Sequence, residues 1–188
     1  MRGKLDALVH VDIGIFINNA GCIHPGPFLN VKPQDILTDI KVDLLASLVI
    51  NSYLIGRLRA REHRSALIHM SSIGGVHLMP NLGVYCPIKR SLDIYSRILT
   101  QENSDKIDVL SVRPFGVSTQ MAGFIKGVGA ITPRQCVKGV LTDLLGRKRT
   151  TFGHYIHKAS RVMLFGGNTE EQSLSLMAQL QIQKGLKK

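Results

Sequence analysis

A tyrosine and a lysine four residues apart, in the segment Tyr85-Cys86-Pro87-Ile88-Lys89, are the residues of this chain best suited to moving a proton. At the entry to a helix this spacing puts both side chains on one face, with the ammonium near the phenol. Pro87 fits such a position, because proline is tolerated in a first helical turn and damaging later. A phenol of pKa about 10 is a poor base near neutral pH, and bringing it to about 7 or 8 takes roughly 3–4 kcal/mol. An ammonium about 4 Å away supplies a comparable amount at an effective dielectric near 20. Tyr85 can then give or take the proton of a C–OH group while a cofactor carries the hydride. Ser72, thirteen residues before Tyr85, could hold the substrate oxygen beside the phenol. Its neighbour Ser71 is the rival, with a side chain directed to the other side of a strand.

Tyr-x-x-x-Lys is weak by itself: four tyrosines and twelve lysines in 188 residues give such a pair by chance about a quarter of the time. Its place in an ordered series strengthens it. Asn18-Asn19-Ala20-Gly21 comes first, then Ser71-Ser72, then Tyr85 to Lys89, then Pro114-Phe115-Gly116-Val117-Ser118-Thr119. That order points to hydride exchange at a carbonyl or alcohol carbon.

The elements that must position these residues alternate. Ile13 to Ile17 is an apolar run stopped by Asn18-Asn19-Ala20-Gly21, which reads as a strand buried on both faces of a parallel sheet. Apolar residues at three- and four-residue spacing predict a helix from Lys41 to Arg61, followed by a strand over Ala66–Met70. A second helix is expected from about Pro87 to Gln101 and a strand over Ile107–Val112, ended by Pro114. Gly123, Gly127 and Gly129 suggest a mobile loop over Ala122–Ile131. Thr132 and Pro133 then read as the cap and first residue of a helix reaching about Leu145. Thr150 to Ile156 reads as a last strand, and Leu176, Met177 and Leu180 as the apolar stripe of a C-terminal helix ending in Lys184, Lys187 and Lys188. The pattern is that of a single α/β domain over residues 1–188 with a mainly parallel sheet and an extension from about residue 150.

Composition narrows the classes. No run approaches the roughly 18 apolar residues of a spanning helix, and Met1-Arg2-Gly3-Lys4 does not begin a signal-like segment. Cys22, Cys86 and Cys136 are odd in number and scattered, which suits a reducing compartment and suggests neither disulfides nor zinc. His154-x-x-His157 has no clear third ligand, so no metal is expected. The net charge of +11 suits an anionic partner, whether a phosphorylated cofactor, a CoA-linked substrate, an acidic membrane surface or nucleic acid, and does not choose among them. The basic residues are dispersed, aromatics are only 5%, and none interleave with Arg147-Lys148-Arg149, so no nucleic acid is expected.

The four segments in this order resemble the short-chain dehydrogenase/reductase family over about Leu5 to Met121. The resemblance implies a Rossmann-like doubly wound parallel sheet. It makes Tyr85 the catalytic acid/base, gives Lys89 the tasks of lowering its pKa and holding the nicotinamide ribose, and has Ser72 orient the substrate carbonyl. Asn18, Asn19, Ala20 and Gly21 would support the sheet and line the adenosine side, and Pro114, Gly116, Val117 and Thr119 would meet the nicotinamide end. Ile13 to Asn19, Val112 to Thr119, and Thr132-Pro133 with Cys136-Val137-Lys138 are similar to the 17-beta-hydroxysteroid dehydrogenase and very-long-chain 3-ketoacyl-CoA reductase branch. That branch implies a lipid-like substrate, either NADP or NAD with NADP favoured, and a place on the cytoplasmic face of the endoplasmic reticulum membrane with possible peripheral membrane contact. A homodimer through the helices over 41–61 and 87–101 is also implied.

Three positions depart from the family pattern. Asp43, taken with Ser72, Tyr85 and Lys89 as a catalytic residue, stands where the long helix usually carries an asparagine that supports a water-linked proton relay to the lysine; aspartate could preserve the bound water, while its charge near Lys89 would blunt the effect on Tyr85. Phe115 replaces a common glycine. The family begins with a strand and a Gly-x-x-x-Gly-x-Gly turn that receives the pyrophosphate at a helix N-terminus, and the 17 residues before Asn18 contain no such turn. The chain therefore reads as N-terminally truncated, without the residue that selects NAD or NADP. Residues 13–17 would be an apolar sheet edge in need of a partner or dimer contact. The alternative reading is a catalytically inactive relative kept as a scaffold or assembly subunit, or a fragment of a longer enzyme.

Overall fold

In the computed structural model, which describes residues 7–127 and 129–166, four parallel strands form one sheet in the order β1-β2-β3-β4. They are β1 (Ile15–Asn18), β2 (Ser65–Met70), β3 (Ile107–Val112) and the two-residue β4 (Thr150–Thr151). The register runs Phe16 to Leu67 and Leu67 to Val109 across the first three strands. The helix expected around Leu176 to Leu180 lies outside the described residues, as do Lys184, Lys187 and Lys188.

Alternation along the strands divides the core into two layers. On one face Leu67 of β2 and Ile107 and Val109 of β3 pack with Leu54, Leu58 and Leu99. On the other, Ile68, Leu110 and Val112 pack with Ile131, Cys136 and Val140. The first set of helical residues comes from α2 (Ala46–Ala60) and α3 (Tyr85–Asn103), and Cys136 and Val140 come from α4 (Pro133–Leu145). Helices therefore cover both faces, which makes the sheet doubly wound.

The helix expected to begin at Lys41 begins earlier. Pro33 opens α1 (Pro33–Asp39), which continues through a π-helical segment over Ile40–Leu45 into α2. Pro33 at the first helical position is compatible with a start that apolar periodicity does not show. Thr132 caps α4 as expected, with Gln135 N–H donating to its hydroxyl at 3.2 Å and the Gln135 side chain accepting from Thr132 N–H at 2.8 Å. The strand expected over 150–156 is corrected to β4 followed by α5 (Tyr155–Phe165), where the His154 ring accepts from Ile156 N–H at 3.3 Å. An N-cap at His154 turns the chain out of strand geometry after two residues.

β1 differs from its expectation too. Phe16 packs into the α2–α3 layer, whereas Ile15 and Ile17, pointing the other way, are 54% and 50% exposed. Within the described residues β1 pairs only with β2, so it is an apolar edge strand uncovered on one face. The far end of the sheet is pinned by charge. Arg113 donates from Nε and Nη2 to the two oxygens of buried Asp93 at 2.6 and 2.8 Å, and Ser111 Oγ donates to the same carboxylate at 2.6 Å. This bidentate pair ties α3 to the end of β3 just before Pro114.

Candidate active site

Asn19 to Gly21 follow β1, Ser71 and Ser72 follow β2, and Pro114 to Thr119 follow β3. Each segment leaves the carboxyl end of a parallel strand, where open α/β sheets hold their ligands. Together with the first turn of α3 they line one cleft of about 870 Å³. The cleft gathers Asn19, Ala20, Gly21, Ser72, Tyr85, Lys89, Pro114, Gly116, Val117 and Thr119. Asn18 and Asp43 do not line it.

Ser71 and Ser72 separate cleanly. Ser71 Oγ donates to the Lys89 carbonyl at 2.8 Å and is buried, so it fastens the end of β2 to α3. Gly75 closes the same contact: a Cβ there would lie 2.8 Å from the Lys89 carbonyl group, so only glycine permits this approach. Ser72 accepts from Gly74 N–H at 3.1 Å and its hydroxyl acts on the Tyr85 phenol.

Lys89 is buried with its ammonium 5.4 Å from the Tyr85 ring centre. Its Nζ donates to the Met70 carbonyl at 3.1 Å and lies 3.1 Å from Asp43 Oδ2. The pair is a charge contact without hydrogen-bond alignment, since Asp43 Oδ2 has no hydrogen-bond partner among the described residues. The other Asp43 oxygen accepts from Cys22 N–H at 2.8 Å. Gly21 sits over the pair, where a Cβ would be 3.2 Å from Asp43 Oδ1 and 3.5 Å from Lys89 Nζ.

The surroundings of Tyr85 act on its phenol in opposite directions. Burial pushes the phenol up to about 12; the Ser72 hydroxyl opposes the rise, and the Asp43 carboxylate and Cys86 add to it. Burial is the main cause, and the Asp43 carboxylate, 3.1 Å from the Lys89 ammonium, adds negative charge beside the phenol.

Two groups of polar residues escape a reading of the sequence. Asn18 Nδ2 donates to Asn51 Oδ1 at 3.2 Å, Asn51 Nδ2 meets His69 Nε2 at 2.7 Å, and His69 Nδ1 meets Ser96 Oγ at 2.8 Å. Ser96 donates its own proton to the Leu92 carbonyl at 2.7 Å. One assignment satisfies the chain: His69 neutral, protonated at Nδ1, accepting at Nε2 from Asn51. Burial holds its pKa down to about 4, in agreement. Asn18 therefore joins β1 to α2 and β2 behind the cleft. The other residue is buried His157, whose Nε2 meets the Gly116 carbonyl at 3.2 Å and whose Nδ1 lies 3.1 Å from the Phe152 carbonyl and 3.3 Å from Phe115 N–H. It sets the backbone of the Pro114–Thr119 segment. A histidine within the apolar strand Ala66–Met70 was the available signal for the first group, because a buried polar group needs partners.

A family model described as enoyl-(acyl carrier protein) reductase matches residues 4–145. The chain belongs to the short-chain dehydrogenase/reductase family. As a member of that family it is 30% identical over 156 residues to very-long-chain 3-oxoacyl-CoA reductase-A of Danio rerio, an alignment covering 80% of this chain and 48% of that one. It is also 32% identical over 161 residues to inactive hydroxysteroid dehydrogenase-like protein 1 of Mus musculus, covering 81% and 48%. The chain thus spans about half the length of these relatives. The short-chain dehydrogenase/reductase fold is seen as well in 3-ketoacyl-(acyl-carrier-protein) reductase from Brucella melitensis complexed with NADH, with TM-score 0.71 at 19% identity over 82% of this chain and 71% of that one. A short-chain dehydrogenase from Sphingobium yanoikuyae in complex with NADPH gives 0.71 at 22% identity, over 79% and 60%.

Proposed function

We propose that this short-chain dehydrogenase/reductase is an oxidoreductase exchanging a hydride between NADP or NAD and a keto or hydroxy carbon of a lipid-like substrate, a steroid or 3-ketoacyl-CoA. The observation that carries the reading is the meeting of Ser72, Tyr85 and Lys89 in the cleft formed by residues 19–21 and 114–119. The backbone there leaves room for a cofactor: Gly21 keeps open the space a Cβ would fill beside Lys89. Lys89 would hold the ribose, Asn19 to Gly21 the adenosine side, and Pro114, Gly116, Val117 and Thr119 the nicotinamide. When bound, the cofactor supplies or accepts the hydride. Ser72 then orients the substrate oxygen, and the Tyr85 hydroxyl exchanges the proton with it.

Met79, Leu82, Phe115, Met121, Ile125 and Val137 add an apolar lining, which supports a lipid-like substrate. The +11 charge favours the anionic form of such a substrate, a CoA thioester. Calorimetric titration of the purified chain with NADPH and NADH tests the cofactor, with micromolar binding of either expected. The absence of binding to a folded sample would sink the enzyme reading for this chain.

Exposed apolar residues support a partner. Ile94 and Ile98, one turn apart on α3, are 45% and 48% exposed, and Leu45 and Val49 are similarly open on the preceding helix. A homodimer through these helices, with β1 covered by a partner strand, is the assembly proposed; sedimentation of the chain checks it. The branch resemblance carries the proposed site at the cytoplasmic face of the endoplasmic reticulum membrane by peripheral contact, which cell fractionation tests. No helix of the described residues is long and apolar enough to cross a membrane.

A second reading, a catalytically inactive scaffold, is favoured by the placement of Lys89 on Asp43 and by the relative whose name records inactivity. Turnover that vanishes in Tyr85→Phe separates the two.

A further inference from the structure

The Asp43–Lys89 contact bears on which protonation state of Tyr85 the fold maintains. Both partners are almost fully buried, and they sit 3.1 Å apart. The Lys89 ammonium has a second anchor in the Met70 carbonyl at the end of β2. Asp43 is held from the other side by the Cys22 backbone N–H, and it occupies a π-helical segment whose ends continue directly into helix. The carboxylate is thus fixed by two elements besides the lysine.

We propose that Asp43 is a positioning residue that holds the Lys89 ammonium and offsets its charge, keeping the Tyr85 hydroxyl a proton donor, the state that reduction of a carbonyl requires. This rests on the assignment of Tyr85 as the acid. In that step the carbonyl carbon gains a hydride with its two electrons from a reduced nicotinamide. The C=O π pair moves to oxygen and takes the Tyr85 proton. C–H and O–H bonds form, the nicotinamide is left oxidised, and Tyr85 is left as phenolate. Oxidation of an alcohol needs the reverse state, a phenolate at the start.

Burial favours the protonated phenol, and the charged and titratable groups facing Tyr85 act on top of it. Lys89 and Cys86 come from its own helix, Ser72 from the segment after β2, and Asp43 from the π-helical segment. Facing Asp43 are Lys89 and Cys22. Asp39, one turn earlier, accepts from the Cys22 thiol at 3.2 Å and binds His24 Nδ1 at 2.7 Å. His24 also lies 3.7 Å from Asp35, so its charge is balanced by a separate pair of carboxylates. Lys89 is thus the cation whose field at the phenol Asp43 offsets.

The test needs no turnover. Tyrosine labelled with 13C at the ring is followed by NMR against pH, with the Tyr85 resonance identified by its loss in Tyr85→Phe. In the unaltered chain this resonance should stay in the protonated position through pH 10. In Asp43→Asn its midpoint should fall by about one pH unit or more, as expected for removing one buried charge of like sign to the phenolate. A midpoint near 7 or 8 in the unaltered chain would overturn the proposal, and this reading stands even where Asp43→Asn does not fold. An unchanged midpoint in a folded Asp43→Asn protein would overturn it as well. Failure to bind NADPH or NADH in the calorimetric titration would sink the enzyme reading separately, since the tyrosine titration does not depend on cofactor.

Discussion

Two buried polar clusters flank the same helix, α2 with its π-helical lead-in, and they differ in how completely their groups are paired. The Asn18–Asn51–His69–Ser96 chain is neutral, and each link in it has a donor and an acceptor. The cluster around Asp43 is charged, and the Oδ2 atoms of Asp39 and Asp43 have no hydrogen-bond partner among the described residues. A satisfied neutral network fixes one arrangement of sheet and helices. An incompletely paired charged one stores electrostatic free energy and is costly to keep, which is the usual condition of a site that acts on a ligand. The first cluster lies behind the cleft, and the second meets it at Lys89 and Gly21.

The contrast can be broken most sharply at the cleft. Tyr85→Phe should lower turnover by about 10²–10⁴-fold, the usual contribution of a positioned acid or base, with thermal unfolding unchanged; steady-state rates with a 3-ketoacyl-CoA would show it. Lys89→Met should destabilise the fold by about 3–5 kcal/mol by stranding the Asp43 carboxylate in the interior, measured by urea unfolding.

The neutral cluster should answer to acid. His69 has a folded pKa near 4, below its ordinary value of 6.5, so the unfolded chain binds more protons between those values. The stability His69 contributes is therefore complete above pH 6.5 and is lost as pH falls toward 4, by about 3 kcal/mol in all. Urea unfolding at a series of pH values should show the decline, and His69→Asn should flatten it. The smallest effect separates the two serines. Ser71→Ala should cost about 1 kcal/mol of stability, the usual value of one hydrogen bond, and little activity, whereas Ser72→Ala should cost a similar amount through its lost bond from Gly74 N–H and lower turnover as well. Equal effects on both measures would erase the distinction between them.

Much of the fold was legible because its signals are local. Apolar runs marked β2 and β3 closely, and Thr132-Pro133 marked the start of α4 by cap chemistry. The misreadings fall where local pattern is silent. Pro33 begins a helix eight residues ahead of Lys41 because helix α1 has only a short, mixed apolar pattern, and α5 was hidden behind two strand residues and a histidine cap. β1 stands at the apolar edge expected for residues 13–17, but its run read as buried on both faces because which face a helix covers is not encoded in an apolar run.

Residue types and order alone pointed to Ser72, Tyr85 and Lys89 as residues suited to one kind of chemistry, because a phenol that exchanges a proton is helped by a nearby cation and an oxygen-binding hydroxyl. Only the tertiary structure decided the electrostatics. Asp43 and Lys89 are 46 positions apart in the chain, and whether they touch depends on how the π-helical segment packs against α3. Once they meet at 3.1 Å in a buried site, the sign of the shift at Tyr85 follows from burial and from the added negative charge, neither of which spacing along the chain can supply.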